Sequence, residues 1–215
     1  GTKGKIADFR ALPTEEKLKR TKNFLLDNAM FIIIITALVI IAIMRPRFLS
    51  APSIINIISL TAAKLPIALG IGGAIVLSGT DISAGRAVGL TACISASLLQ
   101  MTGYANKMFP GLSTFPIWAV LLIVMAAGAV IGIINGFFVA RFKLHPFIVT
   151  LSTQLIIFGI VLLYLQIGNN GGQTLSGLSP EYTDFISGPL FRISGIAIPK
   201  YVLYSLIITV IMWII

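Results

Sequence analysis

Asp81, Ser83 and Arg86 fall within LSGTDISAGRAVGL (77–90), a polar island between long apolar runs. A carboxylate, hydroxyls and a guanidinium at this spacing can pair with one another, bond backbone groups freed where a helix is interrupted, or offer hydrogen bonds to a polar ligand. Gly79 and Gly85 allow a sharp or unwound backbone there, and Thr80 adds a second hydroxyl. A plain short loop accounts for the same residues. Farther along, Asn135, Thr150, Ser152, Thr153 and Gln154 supply uncharged donors and acceptors inside apolar sequence. Such groups suit an uncharged polyol better than an ion. Their plainer role is hydrogen bonding between helices, typically under about 1 kcal/mol each.

Bond-making chemistry has no support. The chain lacks G-x-x-x-x-G-K-[ST], H-E-x-x-H and G-x-S-x-G, and no span carries paired carboxylates. Cys93 is the one cysteine, so neither a disulfide nor a thiolate metal site follows, and it reads as a small packing residue. His145, before Pro146, reads as structural at a loop end. GNNGGQ (168–173) has the look of a phosphate-cradling loop, but no strand precedes it, and it reads as a flexible loop. No metal and no cofactor are expected to bind this chain.

The elements that must position these groups are set by composition. Of 215 residues, 57% are hydrophobic and 11% charged, against roughly 45–50% and about 25% in soluble domains. Apolar runs recur along the whole chain, which implies an all-α, polytopic transmembrane helical bundle. About six spans are expected, at 28–44, 54–78, 87–101, 117–140, 147–167 and 201–215, separated by segments rich in Gly, Pro or charge. Residues 1–27 form a basic N-terminal segment, and 28–215 the membrane domain. The 33 residues 168–200 make the only sizeable soluble loop.

The formal net charge of +9 raises the question of nucleic acid, but seven of the sixteen Lys and Arg precede Asn28, the distribution of a membrane orientation signal. It places the N-terminus in the cytoplasm, RFKLHP (141–146) inside and 168–200 outside; Arg45 and Arg47 run against that order. Glu15 and Glu16 after Pro13 start a surface helix, with Lys17, Lys19, Arg20 and Lys22 toward its end. Lys64, two residues before Pro66, is either a pathway-lining cation at a kink or a side chain reaching to the interface. Small residues repeat every four positions at Gly70, Ala74 and Ser78, at Gly85, Gly89, Cys93 and Ser97, and at Gly128, Gly132 and Gly136. The second, third and fourth spans are therefore expected to form a tight bundle.

The segment GTDISAGRAVGL resembles the G-x-D-[LI]-S-x-G signature of permease subunits of bacterial ABC sugar importers, in the ribose and galactose branch. Thr80 and Arg86 make it most similar to the galactose-type members. The block IINGFFVARFKLHPFIVTLST (133–153) resembles the family's Asn-Gly, Pro-Phe-Ile and Thr-Leu pattern, with Ser152 where glycine is usual, and ANKMFP (105–110) and FLS (48–50) agree. The resemblance implies a multi-pass protein of the bacterial cytoplasmic (inner) membrane. It further implies a second permease subunit forming a two-fold pair, a separate ATPase that hydrolyses the ATP, and a periplasmic or lipid-tethered sugar-binding protein. Nucleic acid has no part in that assembly, and membrane lipid surrounds it. Family members are longer, so this chain is expected to be the N-terminal part of a subunit whose further spans and ATPase-docking loop follow. The residues expected to line or gate the pathway are Thr80, Asp81, Ser83, Arg86, Asn135, Thr150, Thr153 and Gln154, with Asp81 and Arg86 holding a helix break. Other readings are a permease for ribose, another sugar, a nucleoside or a vitamin, or a small channel or structural membrane protein.

Overall fold

A computed structural model describes residues 13–76, 79–193 and 196–214. Residues 1–12 of the basic segment, Ser78 of the first small-residue stripe and the last residue of the sixth expected span lie outside them. The chain divides into two compact units, 1–56 and 57–215.

In the first unit, α1 (Thr14–Asp27) follows Pro13 and carries Glu15 and Glu16 in its first turn. It continues through Phe24, Leu25 and Leu26, so the basic residues sit in its middle rather than toward its end. Asn28 closes it twice, its backbone N–H and its side-chain amide both donating to the Phe24 carbonyl. The apolar helix α2 (Ala29–Met44) follows, then a 3-10 turn (Pro46–Leu49). Helix α3 (Ala51–Val76) begins in this unit and runs into the second, remaining helical through Pro66. Lys64 on it is exposed.

The second unit is built on α4 (Ala84–Leu98), α5 (Ile117–Phe142) and α6 (Pro146–Gln166), which pack on one another. Two hydrogen bonds fix the register of α4 on α6: the Ile82 N–H donates to Thr150 Oγ1, and the Ser97 hydroxyl meets the Tyr164 hydroxyl. Residue numbers rise together along the pair, so the two helices run parallel. After a 3-10 turn (Gly168–Asn170) come α7 (Pro180–Ser187), an antiparallel hairpin of β1 (Pro189–Ile193) and β2 (Ile196–Pro199), and α8 (Lys200–Ile214). Lys200 Nζ bonds Asp184 Oδ2 at 2.9 Å and Phe185 stacks on Tyr204 at 5.2 Å, joining α7 to α8.

Helices α3, α5 and α6 are long and apolar enough to cross a membrane. With 16, 15 and 15 residues, α2, α4 and α8 fall below the ~20 that a full crossing takes. The protein is thus a polytopic α-helical membrane protein, and among its described residues three helices reach full spanning length beside three shorter apolar ones. The hairpin is a second departure: PLFRI and IAIP contain the alternating, β-branched and aromatic pattern of short strands inside what reads as a loop.

The bundle also differs from the one the small-residue stripes predict. Helix α3 touches the others sparsely, as where Gly70 faces Met212 Cε, and the packed trio is α4, α5 and α6. A Cβ placed on Gly85, Gly89, Gly128, Gly132 or Gly136 would meet nothing within 4 Å. The reason is that polar side chains, not close backbone approach, join α4 to its neighbours, and the α5 glycines face open space.

Candidate functional site

The interruption between α3 and α4 is held by its own side chains. Asp81 Oδ1 accepts from the Ser83 N–H at 2.9 Å and the Ser83 hydroxyl at 2.6 Å. An aspartate two residues ahead of a free amide is well placed to fold back on it, which fixes the chain at the start of α4. Gly79 fits closely just before: its N–H bonds the Ala74 carbonyl, and a Cβ there would lie 3.3 Å from that oxygen and 3.5 Å from Pro146 Cβ.

From Ser83 the network crosses to the other helices. Asn135 Nδ2 on α5 donates to Ser83 Oγ at 2.9 Å, and Thr153 Oγ1 on α6 donates to Asn135 Oδ1 at 2.6 Å. Thr150 Oγ1 donates to the Thr80 carbonyl at 3.0 Å while accepting from the Ile82 N–H. Every step satisfies a group that lipid could not. Ser83, Asn135 and Thr150 are buried, and Asp81 is half-buried. Asp81 keeps Oδ2 free of any bond within the described residues.

Two cavities meet at this network. One, of about 340 Å³, is lined by Gly70, Asp81, Ser83, Gly128, Gly132 and Asn135, among others. The second, of about 280 Å³, shares Asp81, Gly132 and Asn135 and adds Thr80, Gly136 and Thr150. The stripe Gly128, Gly132, Gly136 is their common wall, which explains its open Cβ positions. Among the described residues, neither cavity is lined by Lys, Arg or His.

Six of the eight expected residues, Thr80, Asp81, Ser83, Asn135, Thr150 and Thr153, therefore share one hydrogen-bonded cluster, Thr80 through its carbonyl. Arg86 and Gln154 stand outside it, in the seam between α4 and α6. Asp81 and Arg86 form no ion pair: Ser83 occupies the carboxylate, and the Arg86 guanidinium lies over the Phe158 ring, 4.4 Å from its centroid. Ser152 bonds its own helix at the Ile148 carbonyl, and the His145 carbonyl accepts from Ile148 and Val149 at the start of α6. Among the described residues no group of three or more His, Cys, Asp or Glu side chains gathers to hold a metal.

The residue types give no hint of a second polar knot at the other end of the trio. Gln100, fully buried just past α4, accepts from the Met108 N–H at 2.9 Å and donates to the Ser176 carbonyl at 2.8 Å. The Met101 N–H donates to the Gly177 carbonyl and the Ser179 N–H to the Leu99 carbonyl. The run GNNGGQ, expected to be a flexible loop, is part of this knot: Asn170 is buried and its amide donates to the Leu165 and Gln173 carbonyls. Asn followed by paired glycines is a turn signal, which marks the turn but not its partners.

Comparison with known proteins follows the same lines. Over 196 residues the chain is 40% identical to the galactose/methyl galactoside import permease protein of Escherichia coli (strain K12), covering 89% of this chain and 56% of that protein. The corresponding protein of Haemophilus influenzae is 38% identical over 199 residues, 92% of this chain and 58% of the relative. The ribose import permease protein of H. influenzae is 29% identical over 181 residues, 84% and 51% respectively. The chain thus spans about half the length of the curated relatives it matches. No solved structure matches it. The family model described as "Branched-chain amino acid transport system / permease component" matches residues 53–215, from the start of α3 through the network and both cavities, and the chain belongs to that family of membrane permeases.

Proposed function

We propose that this chain is permease sequence from an ATP-binding-cassette importer that passes a monosaccharide of the galactose/methyl galactoside type across the bacterial cytoplasmic membrane. A separate ATPase hydrolyses the ATP, and a periplasmic or lipid-tethered binding protein delivers the sugar. A second permease subunit completes the pathway. This chain binds no cofactor of its own. Its six apolar helices all traverse the bilayer, with the N-terminus cytoplasmic. That orientation sets the Asp81 network near the cytoplasmic side, because it lies at the end of α5 and α6 joined by Lys143, Leu144 and His145.

The observation that carries the reading is the pair of cavities sharing a floor of Asp81 and Asn135. Their walls are glycine and aliphatic, and their polar groups are few. A conduit must replace a sugar's water hydrogen bonds with weak ones and then let go, and high affinity belongs to the delivery protein. Asp81 acts mainly as the clamp of the helix break, through Ser83. The family description names branched-chain amino acids, and that substrate class is the second reading. A zwitterion presents a full negative charge, and among the described residues no basic side chain lines either cavity to meet it. The greater identity to galactose-type than to ribose permeases points the same way.

The test is uptake by the full-length subunit reconstituted with its ATPase and binding protein. Labelled galactose should accumulate with ATP, competed by methyl galactoside and not by ribose or leucine. Uptake of ribose or leucine in place of galactose would overturn the reading.

A further inference from the structure

The seam between α4 and α6 holds a donor without an acceptor and an acceptor without a donor. Arg86 is exposed, its guanidinium stacked on Phe158, and none of its side-chain N–H groups meets an acceptor among the described residues. Gln154 Oε1 is shut off from solvent and meets no donor. The two stand at one level by register. Ile82 bonds Thr150, and Ser97 bonds Tyr164, so the parallel helices set Arg86 level with Thr153 and Gln154. Phe158 stands about one helical turn beyond Gln154 on α6, four residues or about 6 Å along the axis. The arginine reaches past the nearer side chain to stack on the farther one.

We propose that Arg86 has two seats on α6, the Phe158 ring and the Gln154 carbonyl, and that only the first is taken in the state described here. A guanidinium keeps its charge in either seat, by cation–π attraction to the ring or by donation to an amide oxygen. An arginine bound to one group alone loses its only partner whenever the side chain leaves it. With two seats a turn apart, the side chain swings from one to the other and the charge stays engaged. Gln154 and Phe158 are thus positioning residues that act through Arg86, and neither belongs to the polar cluster around Asn135.

The seats substitute for one another, which gives a test independent of any transported substrate. In the full-length subunit in lipid nanodiscs, Gln154→Leu alone leaves the thermal midpoint nearly unchanged, and Phe158→Leu alone lowers it slightly. The double variant falls about 3 °C below the sum of the two, and this excess vanishes in an Arg86→Ala background. Cys93 lines a small cavity with Leu165 in the same seam. Its maleimide labelling in membranes therefore reads the coupling where the double variant does not survive purification. There the double variant labels about threefold faster than the singles combine to predict, again only with Arg86 present. Simple additivity of Gln154→Leu and Phe158→Leu with Arg86 in place overturns the proposal. Equal coupling after Arg86→Ala overturns it too, since the two side chains would then be interacting directly.

Discussion

The two ends of the α4–α5–α6 trio solve the same problem in opposite ways. Both bring polar groups into apolar surroundings and must satisfy them. At the Gln100 end the partners are backbone groups of two loops, and the result is closed: Gln100 and Met108 have no exposed surface. At the Asp81 end the partners are side chains of three segments, and the result leaves cavities on Gly128, Gly132 and Gly136. Glycine marks both ends for different reasons. Gly168 and Gly177 adopt φ of +67° and +73° in tight quarters, whereas the α5 glycines are ordinary helix with nothing opposite them. One polar knot is closed on itself, and the other leaves room beside it.

The largest effect that this contrast predicts is at Gly168. A Cβ there runs into the Met108 backbone carbonyl, and the positive φ is strained for any L side chain. Neither the carbonyl nor the turn is free to yield, since the Met108 oxygen also accepts from the Asn169 N–H. Gly168→Ala should cost about 4 kcal/mol or more and remove most of the folded subunit, read by size-exclusion yield and thermal unfolding. Near-normal yield and melting would mean that this end is not the rigid one.

At the other end, Asp81→Ala should act on transport more than on folding. It strands the Ser83 N–H and hydroxyl, a loss of about 1–3 kcal/mol for buried donors, and frees the start of α4. Uptake in the reconstituted importer should fall about tenfold or more, a change of ~1.4 kcal/mol in barrier, while the binding protein keeps its sugar affinity. Asp81→Asn keeps an oxygen for both donors and should retain far more activity than Asp81→Ala. Equal loss in both variants would show that the charge, not the clamp, is what matters there.

How much of this was legible in the sequence follows from the same physics. The apolar helices lie within a few residues of the expected spans, 28–44 against Ala29–Met44 and 147–167 against Pro146–Gln166, because lipid demands long apolar runs ended by Pro, Gly or charge. The polar residues of the site stood out for the same reason: Asn135 and Thr150 inside apolar helices must find partners. Which partners they find depends on α4 and α6 lying parallel, a pairing of residues 67 and 68 apart that local spacing does not encode. Proximity in sequence suggested Asp81 with Arg86, and the nearer Ser83 took the carboxylate instead. The Gln100 knot was invisible because its partners are backbone groups, which carry no residue signature.

The finest distinction between the ends rests on Gly132, the glycine common to both cavities. It lies mid-helix with ordinary φ and nothing within 4 Å of the Cβ position. Alanine is the better helix former by about 0.5–1 kcal/mol, so Gly132→Ala should leave the subunit as stable as before or slightly more so. The same methyl group enters the wall shared by the two cavities, beside Asp81 and Asn135, and should slow sugar uptake by a few fold. A glycine kept for helix packing would give the reverse pattern, lower stability with uptake following it down. Opposite signs for melting temperature and uptake in a single variant would therefore identify the stripe as the wall of a passage.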